Sequence, residues 1–213
     1  MTRLAIATLL FAADAPAERE DGPTPRTELR PISPDRPDVT ESPYTVDAGR
    51  FQLEASVLEY AAGAEAFSFL PFNFKFGVTP RVDLQLLAEP LAVGDDAEFG
   101  DVSLRAKLNV WGNDGGDTAF AVMPFVTLPT SEGSRRAEGG LILPFAIAMD
   151  AWSFGTMAEF DVAEDAGGGG AHFEALFTVS ASRPIEGDLS GFVELAFGWS
   201  DDRGAGTSVS LNA

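Results

Sequence analysis

Asp101-Val102-Ser103-Leu104-Arg105-Ala106-Lys107-Leu108-Asn109-Val110 is the stretch that decides the fold. Every even position is apolar, and every odd position is polar or charged, including Arg105 and Lys107. Successive side chains of a β-strand point to opposite faces, so a period of two describes a strand with one dry and one wet face. About ten segments of this kind, with almost no helical period among them, imply a sandwich or a closed barrel. In a sandwich the dry face meets a second sheet; in a membrane barrel it meets lipid.

Residues 50–57 place Phe51, Leu53, Ala55 and Val57 on one face, with Gln52 and Glu54 on the other. In residues 66–76 the parity changes at Leu70-Pro71: Phe67 and Phe69 lead, then Phe72, Phe74 and Phe76 with Asn73 and Lys75 opposite. One extra residue there predicts a β-bulge, which also tolerates the proline. Val82, Leu84 and Leu86 alternate with Arg81, Asp83 and Gln85. Residues 118–128 and 140–149 are apolar on both faces, and each carries an internal proline, Pro124 or Pro144. Farther on, Trp152, Phe154 and Phe160 oppose Ser153, Glu159 and Asp161. Phe173, Ala175, Phe177 and Val179 oppose His172, Glu174, Thr178 and Ser180. Val193, Leu195, Phe197 and Trp199 oppose Ser190, Glu194 and Ser200, and a tenth strand begins near Thr207 with Val209 and Leu211.

The 213 residues fit one all-β domain. A net charge of −19 argues against nucleic acid and against a basic patch for anionic lipid. Without cysteine there is no disulfide, thiolate metal site or cysteine nucleophile. Residues 1–17 read as an export signal: Arg3 precedes the apolar run 4–13, and Ala15-Pro16-Ala17 offers a small-x-small cleavage site. Residues 18–48 are proline-rich and charged, unable to form a central strand, and read as an extended N-terminal segment. Residues 49–213 carry the strands.

Barrel and sandwich are separated by connections, charge and aromatics. The connections 77–80, 149–151 and 183–188 are short, whereas 88–100, 129–139 and 163–171 are longer and acidic or glycine-rich, the asymmetry of an outer-membrane barrel. Glu54, Lys75, Asp83, Arg105, Lys107, Glu159, Glu174 and Glu194 all fall on the polar parity, where they would line a lumen. Phe51, Phe76, Trp152 and Trp199 stand near strand ends, where an aromatic girdle belongs. Phenylalanine dominates the other parity. A soluble secreted β-sandwich with its charges outside is the alternative.

Catalytic and metal-binding chemistry finds little support. His172 is the single histidine, and Ser180 lies eight positions along the same strand, beyond hydrogen-bond reach. No G-x-S-x-G stretch supplies a nucleophile. Asp95-Asp96, Glu164-Asp165 and Asp201-Asp202 lack calcium-loop spacing and read as solvated loop acids, and residues 167–170 as a flexible glycine loop. No catalytic residue, metal ligand or cofactor is assigned.

Asp35-Arg36-Pro37-Asp38-Val39-Thr40-Glu41-Ser42 and Gly49-Arg50-Phe51-Gln52-Leu53-Glu54 resemble the opening of the bacterial outer-membrane barrels grouped as meta-pathway phenol-degradation transporters. That family shares a D-R-P-D-x-T-E-S stretch, a G-x-x-Q-x-E first strand, a later G-D-x-x-x-x-x-K strand and an L-P-T-G strand end. Gly100-Asp101 with Lys107 matches the third element; Leu128-Pro129-Thr130 matches the fourth, with Ser131 where glycine is usual. The resemblance spans roughly residues 34–199 and implies an outer-membrane barrel with a transport role; the family's name records a genetic context rather than a substrate.

The expectation is therefore an antiparallel up-and-down transmembrane β-barrel in the outer membrane, in contact with its lipid, passing small-molecule solutes and catalysing no reaction. A non-transporting structural or adhesive surface barrel is the alternative from another class. The segment 18–48 is expected either to fold into the lumen as a plug, with Asp35, Arg36 and Glu41 paired to barrel charges, or to hang as a periplasmic tail. The last strand is short against the ~9–11 residues needed to cross and lacks a terminal aromatic. The reading is thus of a barrel cut short, with about twelve strands when complete, because closed bacterial barrels have an even count.

Overall fold

The computed structural model describes residues 3–5, 8–14, 29–35, 39–61, 66–93, 97–132, 134–165, 169–186, 189–202 and 206–212. Among them the chain is all β. Its strands are β1 (Arg3–Ala5), β2 (Thr8–Asp14), β3 (Arg50–Ser56), β4 (Leu58–Ala61), β5 (Ala66–Phe69), β6 (Phe72–Thr79), β7 (Val82–Ala88) and β8 (Leu91–Val93). They continue as β9 (Ala97–Glu98), β10 (Val102–Trp111), β11 (Thr118–Leu128), β12 (Glu138–Met149), β13 (Trp152–Glu164), β14 (Ala171–Glu186), β15 (Leu189–Ser200) and β16 (Thr207–Asn212).

An eleven-stranded antiparallel sheet runs β16-β15-β14-β13-β12-β11-β10-β7-β6-β3-β2, and a five-stranded one runs β1-β4-β5-β8-β9. The small sheet continues the same hairpins past a bend. At that bend Leu70 takes φ 54°, its N–H donates to Val57 O (3.2 Å), and Ser56 N–H donates to Pro71 O (3.0 Å). This is the parity break read at Leu70-Pro71: the added residue turns both strands at once.

Two features bear on the sequence reading. Arg3–Ala5 and Thr8–Asp14, read as the core of an export signal, are extended here and pair with β4 and β3. Their alternating and apolar residues suit an open sheet edge as well as they suit a signal's apolar run. Among the described residues β16 pairs with β15 alone, so no ladder closes the sheet. Pro124 and Pro144 sit in central strands. The β10–β11 ladder skips the positions around Pro124, and the β11–β12 ladder skips those around Pro144, because proline has no N–H to donate.

Burial is inverted relative to a protein folded in water. Leu104 is 44% exposed while Lys107, three residues on, is 0% exposed. Glu54, Lys75, Asp83 and Glu194 are fully buried, whereas Phe74, Phe76, Leu84, Phe177, Phe197 and Trp199 are exposed. Among the described residues, the wet face carries a dry patch around Met123, Ile142 and Met157, which pack with Phe125 and Leu176. That patch explains why the strands around Pro124 and Pro144 read as apolar on both sides.

Candidate functional site

The polar face is covered by residues 29–35 and 39–49. This segment enters and leaves at the short-turn end. Arg30 donates its backbone N–H and its Nε–H to the Asp47 carboxylate (2.8 and 2.7 Å), and its Nη1 donates to Pro80 O (3.1 Å). Asn113, in the β10–β11 turn, accepts the Thr45 N–H (3.0 Å) and donates to Thr45 Oγ1 (2.7 Å) and Pro80 O (2.6 Å). Gly49 N–H donates to Gly77 O (2.8 Å), and a Cβ at Gly77 would overlap the backbone of Asp47, so only glycine lets the returning chain lie this close.

Deeper in, two lysines from neighbouring regions of the sheet close on one carboxylate. Asp35 Oδ2 lies 2.5 Å from Lys75 Nζ, and Lys107 Nζ donates to both Asp35 oxygens (3.0 and 2.9 Å). Lys75 also pairs with Glu54, whose other oxygen accepts the Asp35 N–H (3.0 Å). Gln52 Nε2 donates to Glu54 (2.7 Å), and Ser42 N–H donates to Asp35 Oδ1 (2.8 Å). The charges of this layer, two lysines with Asp35 and Glu54, cancel. Asp83, opposite Lys107 in the β7–β10 register, accepts the Val46 N–H and the Gln85 amide (both 3.0 Å).

At its tip the segment reaches the far side of the sheet. Glu194 of β15 accepts Val39 N–H (3.0 Å), Thr40 N–H (2.7 Å), Thr40 Oγ1–H (2.6 Å) and the Asn212 amide of β16 (2.7 Å). Thr178 of β14 bonds to Thr40 Oγ1 (2.7 Å). Arg105 of β10 pairs with Glu41, whose N–H donates to Met157 Sδ (3.4 Å). One short stretch therefore touches β10, β13, β14 and β15, which requires the sheet to curve around it.

These contacts sort the sequence candidates. Glu54, Lys75, Asp83, Lys107 and Glu194 lie buried beneath the segment, and in this conformation they hold it. Arg105 meets Glu41. Glu159 stands beside Asp161 in the field of Arg105, and Glu174 is drawn away to His172 at the long-loop end. Of the plug candidates, Asp35 and Glu41 are in these contacts; Arg36 lies outside the described residues. Arg30, Thr40, Asp47, Asn113 and Thr178 escaped the sequence reading. The available signal was Glu194: an inward acid with no cation on its strand must find donors elsewhere.

The remaining motif residues also meet. Asp101 accepts the N–H groups of Thr130 (2.9 Å) and Ser131 (2.8 Å) and the Ser134 hydroxyl, while Thr130 Oγ1 donates to Gly100 O (2.9 Å). The G-D start of one strand thus clasps the L-P-T end of the next. Two recesses flank the ionic layer. One of about 130 Å3 lies toward the short turns and includes Arg30, Tyr44 and Lys75; one of about 370 Å3 lies toward the long loops and includes Glu89, Asp101 and Arg105.

Burial pushes the Asp35 carboxyl up, but Lys107 and then Lys75 outweigh it and hold the group well below the ordinary carboxylate range. A depressed acid contributes stability that is present above its unfolded pKa and is lost as pH falls through the folded value. The contribution of this clamp is therefore expected to be fully present from neutral pH down to 3.8, the ordinary value, and to fade progressively below it. Trypsin sensitivity of Arg30, assayed after brief incubation at stepped pH and return to neutral, checks this: release above pH 5 would contradict it.

The model of the family described as "Putative MetA-pathway of phenol degradation" matches residues 34–212. No curated protein and no solved structure matches the chain. The matched region begins one residue before Asp35 and takes in the whole ionic layer.

Proposed function

We propose that this chain, which belongs to the MetA-pathway phenol-degradation family, crosses the outer membrane as an antiparallel barrel and passes small solutes when its N-terminal segment leaves the lumen. The observation that carries the reading is the inverted burial: charges inside, phenylalanine and leucine outside. In water, exposing so many large apolar side chains forfeits about 1.5–3 kcal/mol each; in lipid the same face is the favourable one.

The aromatics fit that surface. Trp111 packs at a tilt against Phe120 (4.9 Å) and Trp152 stacks with Phe154 (6.1 Å) near the short turns, and Phe173 lies against Trp199 (6.2 Å) toward the long loops. Arg183 lays its guanidinium 5.1 Å over the Trp152 ring, as a cation at a headgroup boundary does. From Trp152 to Phe160 is ~26 Å along the strand at ~3.3 Å per residue. With a tilt of ~40° this becomes ~20 Å, close to an apolar band of ~25 Å.

A gated rather than an open passage follows from the ionic layer between the two recesses. The second reading, a barrel that transports nothing, is favoured by how completely Asp35, Glu54, Lys75 and Lys107 satisfy one another. Planar-bilayer conductance decides. The Arg105→Gln, Lys107→Gln double variant removes two lumen cations and loosens the segment, so it is expected to open more often than wild type and to shift toward cation selectivity. A folded double variant that conducts nothing supports the structural barrel.

A further inference from the structure

At the long-loop end, away from the ionic layer, three side chains from two hairpins converge. Asp165 follows β13, His172 is near the start of β14, and Asp202 follows β15. One ligand atom from each lies within 4.8 Å of the others. The loop holding Asp165 is closed by its N–H donating to Gly170 O (3.2 Å), and β15 is tied to β14 there by Phe173 N–H donating to Asp201 Oδ1 (2.7 Å).

The histidine is set as a ligand. Its side chain is only 10% exposed. Nε2 lies 3.0 Å from Glu174 Oε1, which fixes the ring and, as acceptor, places a proton on that nitrogen. In the neutral ring the other nitrogen, Nδ1, carries the lone pair. It is buried, has no hydrogen-bond partner and faces Asp165 Oδ1 at 3.3 Å. A carboxylate this close to a ring nitrogen calls for something positive between them, a second ring proton or a metal ion. A carboxylate orienting the far side of an imidazole is the usual support of a metal-bound histidine. Moreover, 3.3 Å is close to the ~3.3 Å edge of a tetrahedron with ~2.0–2.1 Å metal–ligand bonds.

We infer that Asp165, His172 and Asp202 form a binding site for a divalent transition cation, with Glu174 as a positioning residue. One imidazole nitrogen and two carboxylates suit Zn2+ or its neighbours, with water completing the shell; Ca2+ takes oxygen ligands and has no use for the imidazole. The bound cation would join the β13–β14 and β15–β16 loops. His172 is the only histidine and cysteine is absent, so no other nitrogen or thiolate side chain of this chain can build such a site.

The test is titration calorimetry of the full chain in detergent with ZnCl2, beside CaCl2. One Zn2+ per chain is expected, without comparable Ca2+ binding. His172→Asn should weaken Zn2+ affinity at least tenfold, Asp202→Asn likewise, and Glu174→Gln about tenfold while keeping the stoichiometry. Resistance to SDS unfolding establishes that each variant is folded; should one fail, Asp165→Asn replaces it. No stoichiometric Zn2+ binding, or Zn2+ binding unchanged in His172→Asn, overturns the site and leaves a histidine–aspartate ion pair. Equal affinity for Ca2+ also overturns it.

Discussion

Replacing Asp35 with alanine is expected to release the N-terminal segment and to raise the open probability in planar bilayers by at least a hundredfold. The reason is the imbalance left behind. Lys75 and Lys107 are fully buried; without Asp35, Lys75 keeps Glu54, while Lys107 loses the carboxylate it donates to and has Asp83 across the ladder. Stripping one partner from a buried ion pair costs about 3–5 kcal/mol, because the orphaned charge keeps its desolvation penalty. The variant can recover that energy in one way, by letting water reach the lysines, which means moving the segment aside. The exposed contact of Arg30 with Asp114, at 3.9 Å, is no substitute, since such pairs contribute about 0–1 kcal/mol. Single-channel recording supplies the measurement, with trypsin cleavage near Arg30 as a second readout. A variant with an accessible segment and wild-type conductance would remove the segment from the gating role.

Leu104→Arg is expected to destabilise the protein in lipid by ~2–4 kcal/mol, the penalty for arginine at a bilayer midplane. Leu104 is the third residue of β10 and is flanked in register by Leu86 on β7 and Val126 on β11, all of them exposed. The same substitution on a surface facing water changes stability by no more than about 0.5 kcal/mol. Urea titration in lipid vesicles, read from gel mobility, separates the two. A change under about 0.5 kcal/mol would mean that this face meets water and would undo the membrane reading.

Residue order around Lys107 shows what was legible and what was not. Period two revealed which side chains share a face, and Glu54, Lys75, Asp83, Lys107 and Glu194 on that parity are buried. Alternation says nothing of what stands opposite. Lys107 read as a pore-lining charge; its partner is Asp35, 72 residues away and on no strand. Thr40 and Glu194 are 154 residues apart, and nothing local to either encodes the other. The bulge at Leu70 was legible because an extra residue shifts parity, a local signal. The strand pairing of Thr8–Asp14 was not, because an apolar run on a sheet edge and an apolar export signal have the same composition.

The bond from Thr40 to Glu194, with Asn212 on the same carboxylate, also constrains how the molecule comes together. Closing a loop of that length costs about 4–5 kcal/mol of chain entropy if made first. It costs far less once the intervening strands have already brought β15 round to β10. Docking of the tip is therefore expected late in assembly, although its residues precede in the chain the strands they dock on. Before that event the acids and lysines of the inner face stand in water, each solvated on its own. On the proposed reading the molecule reaches its occupied form through an unoccupied one, the same state that withdrawal of the segment would restore.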